Sequence, residues 1–291
     1  MTKINTEREL LQMCARNRDG SFSTQAARRN ILSMVGRQLV ELGIYNLPAA
    51  GLKQKHIGKV LERWKADGCS DATLKNRMAH LRWWAEKIGK TNLIPRTNAE
   101  LGIGRRRYVT NETKAVQITD DVLSRVSDER VKLSLELQKA FGLRREESIK
   151  FQPSYAMDNG DCIKLKASWC KGGRERVVPI RNDFQRDVLR RVAMFAGSGS
   201  LIPNGETYKE QLKRYENVTS RVGLHKLHGL RHAYAQQRYR ELTGWESPVT
   251  GGPRAKQLTP EMKAADLAAR LTISEELGHS REAITAVYLG R

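Results

Sequence analysis

The sequence predicts a mainly α-helical protein of two domains with one small β-hairpin. Three observations carry that reading. Apolar residues recur at helical spacing through most of the chain, strict alternation is confined to 162–180, and the stretch around residue 100 has no periodicity. At 291 residues the chain can hold two ordinary domains, each with a buried core that needs no disulfide or metal.

Residues 7–18 read as a short helix. A longer one opens at Thr24, carries Ala27, Ile31, Met34, Val35, Leu39 and Leu42 on one stripe, and ends at Gly43. From Lys55 to Ala66 the stripe is Ile57, Val60, Leu61 and Trp64, and the helix stops at Gly68. Ser70 can cap the next helix, whose Leu74, Met78, Leu81, Trp84 and Ile88 face a core until Gly89. Residues 1–95 are therefore expected to form an all-helical domain. Residues 96–116, with Gly102, Gly104 and the run Arg105-Arg106-Arg107, read as a basic linker.

The second domain is expected over 117–291. Thr119-Asp120-Asp121 is a helix start, and Val131, Leu135 and Leu137 lie on a helix from Asp128 to Ala140. Residues 162–166 alternate, and 174–180 alternate again around Lys171-Gly172-Gly173, which predicts a β-hairpin with a lysine at its glycine turn. Helical patterns resume over 183–195, 208–222, 230–242 and 260–277. Residues 244–259, rich in glycine and proline, read as an exposed loop.

The formal net charge is +20, split as +11 over 1–113 and +9 over 114–291. An excess of this size, spread over both domains, favours a polyanion as partner. On the helix after Ser70, Lys75 and Arg82 lie seven residues apart and share a face, with Arg77 on its flank. That row, the run Arg105, Arg106 and Arg107, and Arg174 and Arg176 of the hairpin are the expected DNA contacts. No apolar run approaches the length of a membrane span, and the first residues lack a signal-peptide core, so a cytoplasmic location is expected. Cys14, Cys69, Cys162 and Cys170 match no zinc spacing, and neither metal nor other cofactor is expected.

Several stretches hold residues that can serve one reaction. Arg144 and Arg231 are planar donors suited to two oxygens of one phosphate. His228 lies three residues before Arg231, so a helical turn points both at one place, and His279 adds another donor. Lys171, at a glycine turn, can reach in and give a proton to a leaving oxygen. Tyr288 can serve as nucleophile, its phenol activated by the surrounding cations.

In order along the chain, Gly142-Leu143-Arg144-x-x-Glu147, Lys171-Gly172-Gly173-Arg174-Glu175-Arg176-Val177-Val178-Pro179, His228-Gly229-Leu230-Arg231-His232, Leu277-Gly278-His279-Ser280 and Tyr288 resemble the tyrosine recombinase, or phage integrase, family. The resemblance covers about 117–291; in the first domain only the architecture matches. It implies a two-domain clamp on double-stranded DNA, a helical core-binding domain and a mixed α+β catalytic domain. It also implies attack by Tyr288 on a scissile phosphate, a 3′-phosphotyrosine, a released 5′-hydroxyl, and strand exchange through a Holliday junction. A homotetramer on two sites, with DNA-bending accessory proteins, is the implied assembly. Arg144 and Arg231 would bind the phosphate, Lys171 would be the general acid, His228 would assist proton transfer from Tyr288, and His279 would hydrogen-bond the phosphate. Glu147 would support the arginines. Arg145 is expected on the surface, His232 to pack or cap, and His225 in a loop.

Two features depart from the family pattern. His279 lies forty-eight positions after Arg231, more than in compact members, with the surplus at 244–259. Three residues follow Tyr288 where many relatives continue into a helix that couples protomers, so that coupling is expected to be absent or made by the 244–259 segment. Rival readings are a type IB topoisomerase, disfavoured by the motif spelling, and a non-catalytic DNA-binding protein, disfavoured because every candidate catalytic group is kept.

Overall fold

The computed structural model describes residues 5–105, 108–157, 160–279 and 281–291. The chain divides into two compact units, Met1–Arg107 and Tyr108–Arg291.

The first unit consists of α1 (Thr6–Arg16), α2 (Phe22–Glu41), α3 (Gln54–Ala66) and α4 (Asp71–Lys87). Ser21 accepts from the Thr24 amide, which starts α2 two residues before the apolar spacing does, and Ser70 accepts from the Thr73 amide at the head of α4. At the contact of α1 and α2, a Cβ on Gly36 would lie 2.6 Å from the Glu7 Cα, so only glycine permits the approach. Leu10, Leu32, Val35, Leu39, Val60, Trp64, Met78 and Trp84 are wholly buried between the four helices. Trp64 satisfies its indole N–H on Gln38 Oε1 at 2.8 Å.

Two of the arginines expected on DNA are spent inside this unit. Arg82 donates from Nε to the Pro95 carbonyl at 2.9 Å and from Nη1 to Asn98 Oδ1 at 3.0 Å, because the chain after α4 folds back over the helix. Arg77 lies 4.9 Å from the Trp64 ring centroid and donates to Cys69 Sγ at 3.3 Å. Lys75 is half-buried and Arg105 exposed, while Arg106 and Arg107 lie outside the described residues.

The second unit begins with α5 (Asp120–Ser124), α6 (Glu129–Phe141), α7 (Arg145–Ile149) and α8 (Pro153–Ala156). Then come β1 (Cys162–Leu165), β2 (Arg176–Pro179), α9 (Asp183–Ala196), α10 (Tyr208–Arg221), α11 (Gly229–Thr243), α12 (Pro260–Glu276) and α13 (Ala286–Leu289). The strands pair antiparallel, with Ile163 opposite Val178 and Leu165 opposite Arg176. They are shorter than the alternation suggests. A 3₁₀ turn at Ala167–Trp169 interrupts the first, where Trp169 packs at 6.1 Å from Phe151 and 5.7 Å from Tyr155. Gly172 and Gly173 both take positive φ, 80° and 66°, in the exposed turn that carries Lys171.

Residues 245–249 pack more closely than the exposed loop that the composition of 244–259 suggests, while 254–257 are exposed. Ser247 is fully buried, Pro248–Thr250 form a 3₁₀ turn, and Trp245 donates to Tyr239 Oη at 3.2 Å. A Cβ on Gly252 would coincide with the Glu246 carbonyl, so the segment folds tightly on itself. Pro248 and Val249 rest on Gly290, two residues beyond Tyr288. Among the described residues no helix is long and apolar enough to cross a membrane.

Candidate active site

Arg144 and Arg231 meet where two helices end. Gly142 closes α6 in the left-handed conformation at φ 60°, and a Cβ there would strike the Tyr234 ring at 2.6 Å. This turn leaves the Gly142 carbonyl facing Arg231, whose Nη1 donates to it at 2.6 Å, while Nη2 donates to the carbonyl of Leu277 at the end of α12. Arg144 Nη2 donates to the same Leu277 carbonyl at 3.2 Å. Both guanidinium groups thus rest on the electronegative ends of helices. Arg231 is only 1% exposed, and burial above all, with Arg144 and Arg176 nearby, lowers its pKa to about 10. It still carries its charge at neutral pH.

Glu147 is the counter-charge. It is completely buried, accepts from Arg144 Nη1 and the Arg144 amide at 2.7 Å each, and accepts two parallel bonds from Arg176, also at 2.7 Å each. Burial works to raise its pKa, but the bonds and charges of Arg176 and Arg144 outweigh it and hold the carboxyl at about 2. Arg176, expected on DNA, is instead 8% exposed and bonded inside the unit to Glu147, the Glu276 carbonyl (Nε, 2.9 Å) and Cys170 Sγ (3.4 Å). Its alternation partner Val178 points into the core as well, so this face of β2 looks inward. Arg174 stays exposed.

Tyr288, in the short helix α13, is 5% exposed. Its hydroxyl accepts from Arg231 Nε at 3.2 Å and lies 3.2 Å from His279 Nε2, which in turn is 3.3 Å from Arg231 Nη2. Burial first, then Arg231, Arg144 and Arg176, lowers the His279 pKa to about 4, so the ring is neutral at neutral pH. An arginine can only donate, which makes Nε2 an acceptor, and the tyrosine proton faces the same lone pair. His232 lies against the phenol ring at 4.7 Å between centroids, and burial, then His228, lowers its pKa to about 4. His228 stands just before α11 with its ring 6.2 Å from that of Tyr288; desolvation of one side and the arginines lower its pKa too, although the residue keeps an exposed edge. That edge borders a cleft of about 460 Å³, also lined by Arg145, Glu216, His225 and Lys226. Arg145 pairs with Glu216 at 2.9 Å on the surface.

The structure brings Arg144, Glu147, Arg231, His279 and Tyr288 into one hydrogen-bonded cluster, with His228 beside it. Lys171 is outside: it makes no hydrogen bond or ion pair among the described residues. Arg176 belongs to the cluster in a role that the sequence reading did not give it, and the buried His232 packs on the Tyr288 ring. No group of residues able to hold a metal ion occurs among those described.

Comparison with known proteins decides the relationship. A phage integrase N-terminal model matches residues 1–94, and an integrase model matches residues 104–237. The chain belongs to the tyrosine recombinase family. Members of this family are site-specific recombinases that transfer DNA strands. Solved tyrosine recombinases share the fold at low identity. The XerH site-specific recombinase bound to difH substrate aligns with a TM-score of 0.56 and 16% identity, covering 97% of this chain and 80% of that one. A lambda integrase dimer bound to a COC′ core site gives 0.61 and 13%, over 98% and 77%. The Tn1549 transposon integrase in complex with circular intermediate DNA gives 0.58 and 12%, over 99% and 96%. No curated protein sequence matches the chain.

Proposed function

We propose that this tyrosine recombinase cuts and rejoins double-stranded DNA through Tyr288. The observation that carries the proposal is the placement of the Tyr288 hydroxyl within 3.2 Å of both Arg231 Nε and His279 Nε2. Arg144 and Arg231 bind the non-bridging oxygens of the scissile phosphate and stabilise the charge that grows on them during attack. The Tyr288 oxygen forms a bond to phosphorus and passes its proton to His279 Nε2, 3.2 Å away, with His228 assisting from beside the ring. The bond to the 5′ oxygen breaks, and Lys171, brought in on its exposed glycine turn, protonates that oxygen. The product is a 3′-phosphotyrosine and a free 5′-hydroxyl. A 5′-hydroxyl from another strand reverses the step, so each phosphodiester broken is replaced without an outside energy source. Glu147 holds Arg144 in place for both directions.

The assembly is proposed as a homotetramer on two sites that passes through a Holliday junction. A lambda integrase tetramer bound to a Holliday junction is among the structures that share this fold. The biological task is proposed as integration or excision of a mobile element, with accessory proteins that bend the DNA.

The test uses a duplex chosen from a random-sequence pool for tight binding to the Tyr288→Phe protein, then nicked near its centre so that cleavage traps the adduct. Wild type is expected to form a covalent protein–DNA adduct and Tyr288→Phe none. An adduct of equal yield from both proteins sinks the assignment. Because arginines supply the charge stabilisation, adduct yield is expected to persist in excess EDTA; its loss there, restored by Mg²⁺, would overturn the chemistry proposed.

A further inference from the structure

We infer that Gln236, Thr113 and Asn111 form a latch that positions the nucleophile. This rests on the reading of Tyr288 above and adds residues to it that touch neither phosphate nor hydroxyl. Gln236 lies one helical turn after His232 on α11 and is buried. Its Nε2 donates to the Tyr288 carbonyl at 3.1 Å, and its amide meets Thr113 Oγ1 at 3.1 and 3.3 Å. His232, on the same face, packs on the phenol ring. One face of α11 therefore grips the tyrosine at both its ring and its backbone.

Thr113 belongs to the segment that opens the second unit, and that segment touches the nucleophile strand again. Asn111 takes the left-handed conformation at φ 54° and accepts the Arg291 amide on Oδ1 at 3.1 Å. A Cβ on Gly290 would come within 3.0 Å of the same oxygen, so the glycine lets the two chains close on each other. Val116 donates its amide to the Gly229 carbonyl at 3.1 Å and fixes the segment to the start of α11. A left-handed asparagine is uncommon enough to need a reason, and here its side chain holds the residues after Tyr288. Residues 111–116 thus set where the tyrosine backbone stands relative to Arg231. A displacement of the order of 1 Å at a reacting atom costs about a hundred-fold in rate, so hydrogen bonds this far from the phenol control the chemistry.

The experiment follows adduct formation by the full chain on the nicked duplex described above, at saturating DNA. Gln236→Met removes the bonds to Tyr288 and Thr113, Thr113→Val those to Gln236 and the Ala115 amide, and Asn111→Gly the bond to Arg291, each keeping size or backbone freedom; Thr113→Ser keeps the hydroxyl. We expect the first three to form adduct about ten- to a hundred-fold more slowly with unchanged DNA affinity, and Thr113→Ser to match wild type. Wild-type rates in all of them, with wild type itself active, overturn the latch alone. DNA affinity and melting temperature falling in step with the rate, Thr113→Ser included, overturn it in favour of a general folding role. No adduct from wild type removes the nucleophile assignment, and the latch with it.

Discussion

Arg231 donates its Nε hydrogen to the Tyr288 hydroxyl at 3.2 Å while its two Nη groups hold the carbonyls that end α6 and α12. The arginine that would bind the phosphate is thus also the pin on which two helix ends and the nucleophile meet. Arg231→Lys keeps the charge but cannot make this set of planar bonds. We expect cleavage at saturating DNA to fall by roughly 10²–10³-fold, the usual effect of removing one donor to a developing oxyanion. A loss of less than a few-fold in a single-turnover assay would place the phosphate elsewhere.

Glu147 is fully buried and faces two arginines. Glu147→Gln leaves Arg176 buried without its counter-charge, and loss of about 3–5 kcal/mol is expected in chemical denaturation. Arg176→Met combined with Glu147→Gln should recover part of that, since the charge then left without Glu147 is that of Arg144, whose side chain is 19% exposed, and no longer the buried Arg176. Simple additivity of the two single changes would show that the pair is not coupled.

Arg82 separates a folding role from a DNA role. Its bonds run to Pro95 and Asn98 of its own unit, so Arg82→Ala is expected to cost about 1–2 kcal/mol of stability. The slope of log affinity against log salt should stay at the wild-type value, because no phosphate contact is lost. A slope shallower by about one would return Arg82 to the DNA surface.

These arginines also mark what the sequence made legible. The spacing of His228 to Arg231 is readable because a helical turn points both side chains at one place, whereas that of His279 to Tyr288 is readable only as part of the family's motif order. The helices were readable from their stripes and caps, as at Ser70. Burial of a charge was not. Arg176 has the parity of Val178, which was the available signal, but its partner Glu147 lies 29 residues away on another element. Arg82 points at a fold-back that composition alone describes only as linker. The packing of 244–259 depends on Trp245 finding Tyr239 and on Ser247 finding space, tertiary matters that glycine and proline content does not report.

Two histidines, His232 buried and His279 half-buried, set an acid limit. His232 and His279 have folded pKa values of about 4 against an ordinary 6.5, so both are neutral when folded and take up protons on unfolding between those values. Stability is therefore expected to be highest above about pH 6.5, to fall as the pH drops to about 4, and to lose nothing further from these groups below that. Glu147, held at about 2 against 4.5, adds stability that is full above 4.5 and is lost as the pH falls toward about 2. Denaturation midpoints across this range, compared with His232→Phe, provide the check: the variant should show a shallower decline between pH 6.5 and 4. An unchanged slope would mean that His232 is protonated in the folded protein.

Lys171, like the His228 side chain, has no hydrogen bond to the cluster among the described residues, and its role rests on proton delivery. Replacing the 5′ bridging oxygen of the scissile phosphate by sulfur gives a leaving group that departs as thiolate and needs no proton. Lys171→Ala is expected to slow cleavage of the ordinary duplex by about 10²–10⁴-fold, the range for a positioned acid. On the sulfur-bridged duplex the same variant should cleave within a few-fold of wild type. An equal defect on both substrates would mean that Lys171 holds DNA and donates no proton, and that the acid is another group; His228, beside the cleft and lowered in pKa, would be the first to replace.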